Sequence, residues 1–209
     1  MDSLINPTKA ITNAHLAKAM SYSQYRALVD DLLKEGKTTG PYQSARLTEY
    51  TNLNVHRMNR IEKTVSLTVA VTEALGNVSR NLLWVVLTEG WCGDAAQNLP
   101  VIAKIATASD GQIDLKLLLR DESPEVMDAY LTNEARSIPK LICLDADTRE
   151  ELGTWGPRPA VVQAMVMAHK ANPQGLSHEE FIETVHAWYA RDKSRHLQQE
   201  MAECLANWK

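Results

Sequence analysis

Only three cysteines occur in this 209-residue chain, Cys92, Cys143 and Cys204, and no two of them form a C-x-x-C pair. An odd, widely spaced set makes a poor disulfide framework and fits a reducing, cytoplasmic setting. Basic runs are missing too. The net charge of -4 disfavours a nucleic-acid surface, which normally needs a basic patch. No apolar run approaches the roughly 20 residues of a membrane helix, so no membrane association is expected. The opening segment Met1–Pro7 has neither the basic start nor the apolar core of a signal peptide. The six histidines show no H-x-x-x-H spacing, so no metal is expected. Phosphate loops of the G-x-x-x-x-G-K-[ST] type and G-x-S-x-G elbows are absent, which disfavours nucleotide and serine-hydrolase chemistry.

What is present is an ordinary globular composition, 44% hydrophobic and 23% charged, long enough for one core of good size. The chain reads in three parts. The first, residues 1–77, is helical. Ser21 and Gln24 make a capping box, and Tyr25, Leu28, Val29 and Leu32 line one face up to Gly36. A second helix spans about 44–61 and a third about 68–75. The second part, 78–171, alternates strand and helix. Leu82–Thr88 and Ile113–Leu119 read as buried strands, Cys92–Thr107 as a helix, and Pro124–Leu131 as a helix with proline in its first turn. Lys140–Leu144 and Glu151–Trp155 form a hairpin around Asp145, and a helix follows Pro159. The third part, 172–209, opens with a Ser177/Glu180 capping box. A single apolar stripe then runs from Phe181 through Trp188 to Met201 and Trp208. The pattern predicts an α/β fold with a mixed sheet flanked by helices, all three parts forming one compact domain.

The chemistry concentrates at Trp91-Cys92-Gly93-Asp94-Ala95. One cysteine sits where a strand turns into a helix N-terminus, whose partial positive charge and free N–H groups favour a thiolate. Asp94 opposes that through its negative charge. Cys143 lies in an apolar strand and reads as a small core residue, so Cys92 is expected to be alkylated first. Thr88 stands one residue too far from Cys92 for a T-x-x-C peroxidase pattern.

From Val78 to Lys170 the chain resembles thioredoxin. Trp91-Cys92-Gly93 matches the start of the family's W-C-G-P-C motif. Pro100, eight residues beyond Cys92, stands where the family kinks its active-site helix. Arg136-Ser137-Ile138-Pro139 is similar to the family's cis-proline loop. The resemblance implies a cis Ile138–Pro139 bond and a substrate groove of Trp91, Gly93, Asp94, Ala95, Ile138 and Pro139 around Cys92 as the catalytic thiol. Arg136 and Arg158 would attract an anionic substrate such as glutathione. The added helices resemble those of a group of bacterial thioredoxin-family proteins. Two departures are expected to matter. Ala95 replaces the resolving cysteine, and Val86 replaces the family's buried aspartate. Two functions follow. In one, Cys92 forms mixed disulfides with a protein or small-molecule thiol partner, resolved by glutathione or another external thiol and with no bound cofactor. In the other, a redox-silent module uses the groove by Trp91 and Pro139 to hold a protein partner. A Cys92 pKa below that of free cysteine favours the first, and one near or above it the second.

Overall fold

The computed structural model describes residues 10–209. The segment Met1–Pro7, read above for the absence of a leader, lies outside them. Four helices lead into the sheet: α1 (Asn13–Lys18), α2 (Tyr22–Lys34), α3 (Ala45–Thr64) and α4 (Val69–Gly76). The Ser21/Gln24 capping box forms at the start of α2, with the Gln24 N–H donating to the Ser21 hydroxyl at 3.2 Å. Thr68 caps α4 in the same manner. Each cap satisfies N–H groups that a helix start leaves without partners.

Strands β1 (Leu82–Thr88) and β2 (Ile113–Leu119) run parallel, Leu82 opposite Ile113 and Thr88 opposite Leu119. Strand β3 (Lys140–Asp145) lies antiparallel to β1, and β4 (Glu151–Trp155) antiparallel to β3, giving the order β2-β1-β3-β4. All seven residues of β1 are buried. Both its faces are covered, which explains why the strand reads as a continuous apolar run rather than an alternating one. The crossover between β1 and β2 is α5 (Gly93–Thr107), with Cys92 as its N-cap and Pro100 inside it. Helix α6 (Pro124–Ala129) precedes the hairpin and α7 (Ala160–Ala171) follows it.

Three elements differ from the sequence reading. Helix α1 carries no buried residue and so no apolar row to betray it. Just after it, Met20 pairs with Leu117 through backbone bonds of 2.9 and 2.8 Å, occupying the free edge of β2. Such capping keeps an edge strand from pairing elsewhere. The single C-terminal stripe is in fact two helices, α8 (His178–Asp192) and α9 (Arg195–Trp208). The break falls at Lys193 and Ser194, both left-handed at φ 53 and 62. No glycine or proline marks it. The two helices serve different neighbours, and the turn re-aims the chain between them. Val185 and Tyr189 of α8 pack with Val162 of α7, whereas Leu197, Met201, Leu205 and Trp208 of α9 join the main core.

One buried apolar cluster runs from Val29 and Met58 through β1 and α5 to Leu205 and Trp208. Trp208 meets Trp84 edge-on with ring centroids 6.0 Å apart. Gly153 of β4 makes room for that indole, since a Cβ there would fall 2.3 Å from Trp208 Nε1. Glu200 of α9 accepts from Trp155 Nε1 and from the Ala160 N–H, both at 2.7 Å, so it holds β4 and the start of α7 together. No helix among the described residues is long and apolar enough to cross a membrane.

Candidate functional site

The segment between β1 and α5 is held by the N-terminal helices. Glu89 is fully buried; its carboxylate accepts from the Thr39 hydroxyl and, at 3.0 Å, from the Asp121 N–H. Burial pushes its carboxyl pKa up, and those two donors oppose the shift. Thr39 also accepts from the Gly90 N–H at 2.8 Å, and Asn54 Nδ2 donates to the Gly90 carbonyl at 2.9 Å. Trp91 and Cys92 therefore leave β1 along a fixed path. Sequence reasoning missed Thr39, Asn54 and Glu89. Only Glu89, an acid next to an apolar strand, left a local trace; the other two act across more than 35 residues.

Cys92 caps α5 as the sequence implied, but its thiol is not set up as a thiolate. The residue is 8% exposed. Its Sγ–H donates to the Ile138 carbonyl at 3.3 Å, and its sulfur accepts from the Ala95 N–H at 3.4 Å. Burial, and then the nearby Asp94 carboxylate, push the pKa from 9.0 up to about 12, against the pull of the Ala95 N–H and Arg158. The helix N-terminus helps, yet removal from water outweighs it, because a thiolate in an apolar setting loses its hydration. The expected preference for alkylation at Cys92 over Cys143 loses its basis. Cys143, fully buried in β3, is also raised to about 12 by burial.

The expected groove is largely closed. Ala95, Ile138 and Pro139 are buried, while Trp91, Gly93 and Asp94 are partly exposed. The Ile138–Pro139 peptide bond is cis. Arg120 lies over the Trp91 ring, 4.7 Å from its centroid. The two arginines expected to receive an anion both already hold carboxylates. Arg136, half-exposed, grips Asp128 through two 2.6 Å bonds. Arg158 holds Asp94 at 2.7 Å. Asp94 also accepts from the Tyr189 hydroxyl at 2.7 Å, and Asn98 donates to that same hydroxyl oxygen at 3.3 Å. Burial and Asp94 raise the Tyr189 pKa, which keeps the phenol protonated and donating. Asp94 is thus more than a helix-start residue: it ties α5 to the segment before α7 and to α8.

Beside this closed thiol an open cavity of about 340 Å³ remains. Its walls come from the middle of α3, the start of α5, the end of α7 and the first half of α8. Trp91, Gly93, Asp94 and Arg158 line it, whereas Cys92, Ile138 and Pro139 do not. At its floor a Cβ on Gly93 would fall 2.9 Å from the His186 ring. That ring also lies 3.3 Å from Gln97 Nε2, and burial, Arg57 and Arg60 lower its pKa to about 4. At neutral pH His186 is therefore an uncharged ring.

A family profile described as thioredoxin matches residues 40–172. That is more than half of the chain. The chain belongs to the thioredoxin family. The match begins before Val78 and takes in α3 and α4. Two solved structures share the fold. One is a protein of unknown function from Pseudomonas aeruginosa, with 19% identity and a TM-score of 0.56 over 89% of this chain and 97% of that one. The other is an HIV epitope scaffold, with 19% identity and a TM-score of 0.52 over 90% and 97%. No curated protein matches. At this identity the likeness speaks for fold alone, so the site must be read from its own residues.

Proposed function

We propose that this protein is a redox-silent member of the thioredoxin family that binds a ligand beside the former thiol site. The observation that carries this reading is the Cys92 environment. The thiol is shielded from water, donates to the Ile138 carbonyl, and has a pKa of about 12. At pH 7 almost none of it is thiolate, the form that attacks disulfides. Ala95 and Val86 agree with this: with no internal disulfide to make or break, neither a resolving thiol nor a buried acid is needed. Asp94, bound to Arg158 and Tyr189, then serves to fix the wall of the neighbouring cavity.

One observation favours a second reading, monothiol exchange. The Ala95 N–H and Arg158 both pull the Cys92 pKa down, and both would stabilise a thiolate once the site opened. Its sulfur would then attack a disulfide of glutathione or of a protein, forming a Cys92 mixed disulfide and releasing one thiolate. With alanine at 95, the adduct would persist until an external thiol displaced it.

The test separates the two. Folded protein is incubated with oxidised glutathione and with cell lysate, run on non-reducing gels, and analysed by mass spectrometry. The binding reading expects no adduct on Cys92, and a Cys92→Ser protein that keeps its fold. Accumulation of Cys92-linked adducts in the folded wild type would instead establish monothiol exchange.

A further inference from the structure

The cavity beside Cys92 has a charge pattern at odds with the chain around it. The protein carries a net charge of -4. Yet Arg57, Arg158 and Lys170 line this cavity against a single carboxylate, Asp94. Asp94 is committed to Arg158 and Tyr189. Arg57 and Lys170 make no ion pair among the described residues; Arg57 donates a 2.7 Å hydrogen bond to the neutral Asn54 side chain. Half-buried Arg57 is held in an unfavourable field, its pKa lowered by burial and then by Arg60. Nor does His186 relieve it, being uncharged at neutral pH. A guanidinium kept this way, with its remaining donors uncommitted, is a receptor for an oxyanion.

Asn54, Ser137, His178 and His186 add uncharged polar groups, and the remaining wall is apolar. Trp91, Phe181, Ile182 and Val185 contribute to it, and Phe181 is fixed by stacking on His169 at 3.9 Å. The volume of about 340 Å³ is a little over twice that of a cavity that holds benzene, roughly 150 Å³. A ligand filling it has an aromatic ring or short branched chain plus its charged group. Cavities of this kind, mostly apolar with a few placed polar groups, are typical small-molecule sites.

We propose that this cavity binds a small organic carboxylate. Arg57 and Lys170 hold the anion, and Trp91, Phe181 and Val185 receive the apolar group. The inference rests on the binding reading above and supplies its ligand class and location. Inorganic anions fit the cations but leave the apolar wall against water.

The experiment is calorimetric titration of the full chain with phenylacetate, 4-phenylbutyrate and 4-methylpentanoate, against phenylacetamide and inorganic phosphate. At least one carboxylate should bind about tenfold or more tightly than the amide and the phosphate, as expected for a hydrogen-bonded charge. Two variants locate the site. Arg57→Gln should weaken binding about tenfold by the same argument. Lys170→Glu, at an exposed position near the end of α7, should weaken it too. The proposal is overturned if no carboxylate binds, if amide or phosphate binds as well as the carboxylates, or if Lys170→Glu leaves affinity unchanged in folded protein. Repeating the titration with Cys92→Ser keeps the two readings apart. Equal affinity supports both, whereas a mixed disulfide formed on folded wild-type Cys92 by added oxidised glutathione sinks the silent-thiol reading and leaves the cavity assignment standing.

Discussion

Alkylation of the native protein gives the sharpest test of the Cys92 environment. Its pKa is raised from 9.0 to about 12. At pH 7 the thiolate fraction of Cys92 is then about a thousandfold below that of a free thiol, and alkylation scales with that fraction. Steric shielding at 8% exposure slows it further. Cys204, partly exposed and raised to about 11, should react first of the three cysteines. The perturbation that probes the cause is Asp94→Asn. It removes the largest electrostatic contribution to the shift after burial. Labelling of Cys92 should speed up, while loss of the Arg158 and Tyr189 contacts costs about 2 kcal/mol of stability, the scale of a charged hydrogen bond. The assay is iodoacetamide labelling across a pH series in native buffer, with peptide mass spectrometry to assign each site. Labelling of Cys92 in folded protein at the rate of an unstructured thiol would refute the reasoning. So would an Asp94→Asn variant that folds and labels no faster.

Two further outcomes follow from the packing and the charges. Trp208→Ala should lower unfolding stability by about 3–5 kcal/mol in urea titration, because the indole is 4% exposed against Trp84 and Gly153; a loss under about 1 kcal/mol would mean that α9 is loosely attached. His186 should make the protein acid-sensitive. Its folded pKa of about 4 lies below the ordinary 6.5, so the unfolded chain takes up the proton first. Stability is unaffected above pH 6.5, falls as the pH drops towards 4, and by then has lost about 2–3 kcal/mol. His186→Gln should flatten that slope in chemical denaturation at successive pH values, and an unchanged slope would remove His186 as its source.

Local signals in the chain determined the regular elements. β1 was legible as a seven-residue apolar run, short for a helix and bounded by turn residues, whereas β2 proved buried only at Ile113 and from Leu117 onward. Helix starts were legible at the capping boxes of Ser21 and Ser177, whereas α1, capped by Thr12, went unread. Trp91-Cys92-Gly93 and Pro100 marked the strand-to-helix turn and the family. What local signals could not supply was the surroundings of that turn. A cysteine at a helix N-terminus reads as a thiolate until its burial is known, and burial depends on segments far away in the chain. Thr39 and Asn54 lock the approach to Cys92, and the Ile138 carbonyl accepts the hydrogen bond of its thiol. Arg158 and Tyr189 meet Asp94 from positions 64 and 95 residues further along the chain. The cationic cavity has the same origin. Arg57 and Lys170 stand on separate helices, each an ordinary surface residue by its own periodicity, and His186 lies on the apolar stripe of a third. Only the packing of α3, α7 and α8 brings them to one wall, where Arg57 is partly removed from water.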